Sequence, residues 1–150
     1  MKVVLQLVKE ASVSVDGKLI SSIGKGFLLL VGFGYGDDEA TCEKMAKKIS
    51  KLRIFPDDNG KTNLSLFDVG GEVLAISQFT LLAALREGNR PSFVSAMRGE
   101  QSKPLYEHFL SLLALNGVKA KAGIFGADMK VSLVNDGPFT LVLDSKELWG

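Results

Sequence analysis

The run Ala75-Ile76-Ser77-Gln78-Phe79-Thr80 passes from apolar residues into three hydrogen-bonding side chains within four positions. Read as the end of a strand spanning Val73 to Thr80, alternation sends Ser77 and Phe79 to one face and Gln78 and Thr80 to the other. Polar groups gathered at the end of a buried strand can form a ligand site, and a satisfied strand end is the competing reading. A nucleophilic Ser77 or Thr80 would need an activating base. The one histidine, His108, is far away in the chain beside Tyr106, Glu107 and Phe109, so a hydroxyl-histidine-carboxylate arrangement has little support. Downstream, Arg86 and Arg90 flank Gly88 and Asn89, where two guanidiniums either grip phosphates or rest in solvent.

A second stretch, Asn135-Asp136-Gly137-Pro138-Phe139-Thr140, lies between two apolar runs, Val131 to Val134 and Phe139 to Leu143. Asp-Gly between two strands is a hairpin signal. Pro138 argues against that: it has no N–H for a ladder and pushes Gly137 toward extended backbone. The residues alone leave the purpose of that proline open.

Other stretches carry less chemistry. Gly32-Phe33-Gly34-Tyr35-Gly36 lacks the lysine and the spacing of a phosphate loop and reads as a strand exit. Asp57-Asp58-Asn59-Gly60 lacks the alternating ligands and closing glutamate of a calcium loop and reads as a turn. Asp128 either pairs with Lys130 or acts as an acid. Cys42 falls on an apolar helix face as an inert thiol. One cysteine and one histidine exclude an internal disulfide and a Cys/His metal cluster, and no motif asks for a metal or cofactor.

These stretches are held by elements that the hydrophobic pattern suggests. Val3 to Val15, Leu19 to Ile23 and Phe27 to Phe33 read as strands, the last apolar on both faces and so central. Cys42, Met45, Ala46, Ile49 and Leu52 recur at helical spacing behind Asp37-Asp38 as N-cap. Ser102 as cap, Pro104 in the first turn and Asn116-Gly117 as stop predict a second helix, and strands from Val118 and Val131 close the chain. The expected fold is α+β, sheet-dominated, one domain over residues 1–150 with two covering helices.

Composition sets outer limits. The 150 residues are 46% hydrophobic and 23% charged with a net charge of +1, which denies the basic excess that drives non-specific binding to DNA or RNA. Any nucleic acid must be gripped locally. The apolar stretch after Lys2 ends at Lys9-Glu10, too soon for a signal peptide, and the uncharged run Gly26 to Gly36 falls short of the roughly 20 residues of a membrane helix. A cytoplasmic protein without membrane contact is expected.

Taken together, Ser77-Gln78-Phe79-Thr80-Leu81 and Leu133-Val134-Asn135-Asp136-Gly137-Pro138 resemble the paired signature of the D-aminoacyl-tRNA deacylases, which remove D-amino acids mischarged on tRNA. Ala11-Ser12-Val13, Ile23 to Gly26, Leu52 to Phe55, Asn89 to Phe93 and Phe125 to Met129 extend the likeness almost end to end. The resemblance implies a β-barrel-like sheet and a homodimer with two sites at the subunit interface. It implies that Gly137-Pro138 is a cis bond reaching into the partner subunit's pocket, that Ser77, Gln78, Phe79 and Thr80 line that pocket, and that Phe125 and Met129 flank the terminal adenosine. It further implies hydrolysis of the aminoacyl ester at the tRNA 3′ end, with L-aminoacyl groups rejected by a rigid wall and glycine, including glycine mischarged on tRNA-Ala, accepted. Backbone amides near Phe79 and Thr80 and the substrate's own 2′-hydroxyl would carry the reaction, and an older reading makes Thr80 the nucleophile. Arg86, Arg90, Lys130 and Lys61 are candidates for tRNA phosphates. Two positions depart from the family pattern: Leu7 stands where a basic residue is common, and Leu82 to Leu85 is more apolar than usual. The alternatives are a hydrolase of another small ester using Thr80, and an inactive binder of tRNA ends.

Overall fold

The computed structural model describes Met1–Gly150. Its framework is strand β1 (Lys2–Val15), which turns through Asp16 and Gly17 into β2 (Lys18–Ile23). Both turn residues have positive φ, 50° and 76°, the geometry of a two-residue hairpin that matches strand twist. β3 (Gly26–Gly32) continues along the same edge of β1, from Val8↔Gly26 to Lys2↔Gly32. β8 (Lys130–Asp144) runs antiparallel along the other edge. β6 (Glu72–Ser77) joins β3 in parallel, and β7 (Lys119–Ala122) joins β6 in parallel.

The last strand of this path returns toward the first. The Ser21 hydroxyl donates to the Ala122 carbonyl at 2.7 Å, and the Lys121 ammonium donates to the Ser22 carbonyl at 2.7 Å. These bonds bring β2 and β7 together and nearly close the sheet into a barrel, the expected sheet-dominated architecture. Val8, Ala11, Val13, Ile23, Leu28, Leu74 and Ile76 fill its interior.

The outer face is covered by two helices, α1 (Glu39–Lys51) and α3 (Gly99–Leu115). Phe27, Leu29, Val31, Val73 and Ala75 alternate with the inward residues and meet Cys42, Met45, Ile49, Tyr106, Phe109 and Leu113. β3 is thus buried on both sides, as its apolar run predicts. Phe27 stacks on Phe55 at 5.2 Å between centroids, a burial worth about 2–3 kcal/mol for Phe27. Smaller pieces complete the chain: β4 (Phe55–Pro56), β5 (Thr62–Leu64), α2 (Leu66–Val69), a 3₁₀ turn (Phe79–Leu82) and α4 (Ser145–Trp149).

Three expectations are corrected. The strand expected to reach Thr80 stops at Ser77, because β3 ends at Gly32 and β7 pairs only as far as Ala75↔Ala122. The Gln78 amide gives a last bond to the Val31 carbonyl at 2.7 Å, and with no further edge to follow the chain winds into the 3₁₀ turn. The second helix starts at Gly99 rather than after Ser102, so Ser102 is buried inside it and Pro104 is tolerated there, its missing bond falling on an exposed turn. Finally, Val131 to Val134 and Phe139 to Leu143 are not separate strands. They are two halves of β8, and residues 136–139 bulge out opposite Leu7 between the pairs Gln6↔Thr140 and Val8↔Asn135.

Candidate functional site

The chain's main cleft, about 600 Å³, opens where β3 and β6 end. Val31, Gly32 and Phe33 form one wall; Ile76, Ser77, Gln78 and Phe79 form the next. Phe93, Ala96, Met97 and the first turn of α3 face them, and Phe125 to Met129 close the far side. The surface is mostly apolar with a few polar groups, the usual character of a small-ligand site.

Each wall is fixed by ordinary packing. Tyr106 donates its hydroxyl to the Ala75 carbonyl at 2.6 Å, which ties α3 to β6; burial pushes that phenol up to about 12. Phe125 leans on Tyr106 with centroids 5.7 Å apart. Phe79 and Phe93 meet edge to face at 5.1 Å, and Phe79 remains 55% exposed at the mouth. The segment carrying Phe93 is anchored by the Met97 amide bonding to the Phe33 carbonyl at 2.9 Å, and by paired bonds between Ala84 and Ser92. A methyl at Gly123 would come within 2.5 Å of the Met129 sulfur, so glycine there lets the thioether lie against the strand.

Of the residues marked out in the sequence, Ser77, Gln78, Phe79, Phe125 and Met129 share this cleft. Thr80 is adjacent but its side chain is outside the lining; its hydroxyl accepts a bond from Gln78 Nε2 at 2.6 Å. His108, half-buried on α3, does not line the cleft, and its Nε2 is buried without a partner. Asp128 stands at the rim held by Lys130 at 3.1 and 3.2 Å. Arg86 and Arg90 lie in the exposed loop beyond the Ala84–Ser92 bridge, and Lys61 is exposed between β4 and β5. Phe93, Met97, Arg98 and Ser102 were not marked out individually. Phe93 falls within the Asn89 to Phe93 stretch, Ser102 has the residue type of a helix cap, and no local pattern announces Arg98 or Met97.

The chemically suggestive groups at the mouth are backbone amides. Phe79 and Thr80 open the 3₁₀ turn, so their N–H groups precede any bond within it, and the Gln78 side chain does not cap them. Such donors suit a developing oxyanion.

Gly137 and Pro138 do not line the cleft of their own chain. Their peptide bond is cis, Gly137 has φ 141°, and both residues are exposed at the apex of the β8 bulge. A polar clamp holds the base. Asn135 Oδ1 accepts from the Phe139 amide at 3.0 Å, and Asn135 Nδ2 donates to Thr140 Oγ1 at 3.0 Å. Gln6 Nε2 reaches the same Thr140 oxygen at 3.4 Å. Leu7 is buried in the outer core beneath the bulge, so support here is apolar where the resemblance would place a charge.

A nearly closed small barrel with an aromatic-lined cleft at the end of its parallel strands is the class of protein that the fold defines. The comparisons give that class a family. Residues 4–144 match the model of the D-Tyr-tRNA(Tyr) deacylase family, and the chain belongs to it. It is 60% identical over 144 residues to a D-aminoacyl-tRNA deacylase of Lactobacillus acidophilus, covering 96% of this chain and 99% of that one. A D-aminoacyl-tRNA deacylase of Thermomicrobium roseum is 56% identical over 150 residues, covering 100% and 97%. A solved structure described as a c-Myc DNA unwinding element binding protein superposes with TM-score 0.89 at 42% identity, covering 96% of this chain and 98% of that one. A probable eukaryotic D-amino acid tRNA deacylase shares the fold at TM-score 0.81 and 16% identity, covering 95% and 97%.

Proposed function

We propose that the protein hydrolyses the ester between a D-amino acid and the 3′-terminal ribose of tRNA, and that it does so without a side-chain nucleophile. Family membership supports the reaction class. The observation that carries the mechanism is the pairing of uncapped amides at Phe79 and Thr80 with a Thr80 hydroxyl turned to Gln78 and supplied with no base. An aminoacyl ester is already activated, so holding it in place and stabilising its oxyanion can suffice, with the neighbouring 2′-hydroxyl of the ribose assisting. Phe125 and Met129 are the natural platform for the terminal base, leaving Ser77 to Phe79 beside the ester.

Rejection of the L form is assigned to the Gly137–Pro138 bulge acting across a homodimer. Enantiomers carry identical groups, so a wall that excludes one direction discriminates better than any contact made to a side chain. The bulge projects from its own chain, and β8 carries exposed apolar side chains, Val134 and Val142, the latter 70% exposed. Both features suit an element that packs on a second copy. Glycine has no side chain to exclude, so glycyl-tRNA, including that formed on tRNA-Ala, is a substrate in this reading. Parallel deacylation of D-tyrosyl-, L-tyrosyl- and glycyl-tRNA tests it: release from the first and third with the second intact supports the reading, and equal rates on both enantiomers, or none on either, overturn it.

A further inference from the structure

α3 begins against the cleft without a side-chain cap, its first turn carrying one acid, the exposed Glu100. Its N-cap residue, Arg98, makes no capping bond, and the ladder starts only where the Gln101 and Ser102 amides bond to the Arg98 carbonyl at 3.0 and 2.9 Å. The Gly99 and Glu100 N–H groups precede that ladder and, with the aligned peptides of a 17-residue helix, favour negative charge. A helix end alone is common; Ser102 supplies a second and separate indication. Only 7% exposed, it lines the cleft, yet its hydroxyl has no hydrogen-bond partner in the chain. The other helical serines all have partners: Ser50 donates to the Ala46 carbonyl at 2.6 Å, Ser111 to the Glu107 carbonyl at 3.1 Å, and Ser145 accepts from the Met1 amine at 2.9 Å. Helical side chains lean toward the N-terminus, which carries the Ser102 hydroxyl toward the free amides.

The charges agree. Arg98 lines the cleft and takes part in none of the chain's ion pairs, which are Met1–Asp37, Lys2–Asp144, Lys121–Glu72 and Lys130–Asp128. Of the nearby carboxylates, Asp128 is held by Lys130, and exposed Glu100 is outside the lining.

We propose that Arg98, Ser102 and the first-turn amides of α3 form an oxyanion subsite, and that it takes the phosphate on the 5′ side of the terminal nucleotide. The assignment to a nucleotide rests on the function proposed above; the donor set itself does not. Phe125, packed against Tyr106 and 3.7 Å from where a Gly99 methyl would stand, places an aromatic platform next to these donors, as a nucleoside 5′-phosphate requires.

The test compares binding of adenosine 5′-monophosphate, adenosine and inorganic phosphate by calorimetry to the full chain, its Ser102→Ala and Arg98→Gln variants, each verified as folded by circular dichroism. The monophosphate binds about tenfold tighter than adenosine to the unsubstituted protein, the size expected of charge-assisted bonds at a half-open site, and each variant erases most of that preference. On D-aminoacyl-tRNA the same variants raise KM and leave kcat within about twofold. Equal affinity for monophosphate and adenosine, or a preference untouched in both variants, overturns the subsite. Saturation by inorganic phosphate without a monophosphate preference overturns the nucleotide assignment. Deacylation that persists beside such a result leaves the proposed reaction standing, whereas absent deacylation with the preference intact counts against the reaction and not the subsite.

Discussion

At the scale of single residues, Thr80 and Asn135 separate the chemistry from its support. Thr80 bonds to Gln78 at 2.6 Å and has no base, so Thr80→Ala should keep D-specific deacylation within about fivefold of the unsubstituted enzyme. A loss of 10³-fold or more in single-turnover kinetics would restore it as the nucleophile. Asn135 spans the base of the bulge with one acceptor and one donor. Asn135→Ala removes both bonds, and the ratio of D to L hydrolysis should fall by about tenfold. Asn135→Asp keeps the bond from the Phe139 amide and should fall between; an unchanged ratio in Asn135→Ala would mean the bulge is held by packing alone. The missing base of Thr80 is legible in the sequence, and the clamp at Asn135 is not. Asn135 stood inside a recognised stretch, but its two partners lie four and five residues on and meet it only because β8 bulges.

At the scale of elements, pattern sufficed wherever one face or both are buried. β1, β3 and α1 follow their apolar spacing closely, because burial decides them. It failed where tertiary partners decide. The end of β6 depends on how far β3 and β7 extend, which a local window does not contain. β8 looked like two strands because a bulge and a turn have the same residue signature. Caps were mixed: Asp38 accepts from the Thr41 amide at 2.9 Å as its pattern predicts, the Ser102 cap does not form, and Ser65 and Asp68 make a reciprocal box at α2, an element that the apolar pattern does not announce. Backbone bonds from Thr41 and from Ser65 hold the Asp38 and Asp68 carboxyls below the ordinary 3.8. Depressed folded-state values stabilise above the unfolded value and lose that contribution as pH falls through the folded one. Thermal stability should therefore decline on acidification below about pH 4, and Asp38→Asn, which still caps but does not titrate, should flatten part of that decline. An identical acid limb in the variant would exclude Asp38 as a contributor.

At the scale of the whole molecule, the cleft is half a site in the proposed reading. One chain supplies the Ser77 to Phe79 wall, Phe125 and Met129, and offers its own bulge outward. The near-neutral charge fits an enzyme that grips a short common end rather than reading an extended nucleic acid. The protein should run as a dimer near 32 kDa, twice its 16.1 kDa, in light scattering at micromolar concentration. Val142→Asp on β8 should shift it toward monomer and reduce deacylation together. An active monomer would remove the cross-subunit wall from the account, though not the chemistry at Phe79.

The central claim is that one rigid wall sets the hand of the substrate while positioned amides do the work. Its most direct measurement is the initial rate of ester loss from D-tyrosyl-tRNA and L-tyrosyl-tRNA, taken side by side with the same enzyme and corrected for spontaneous hydrolysis. The account predicts a D to L rate ratio of at least about 10³, with the L ester decaying no faster than in buffer. Comparable acceleration of both esters would contradict it.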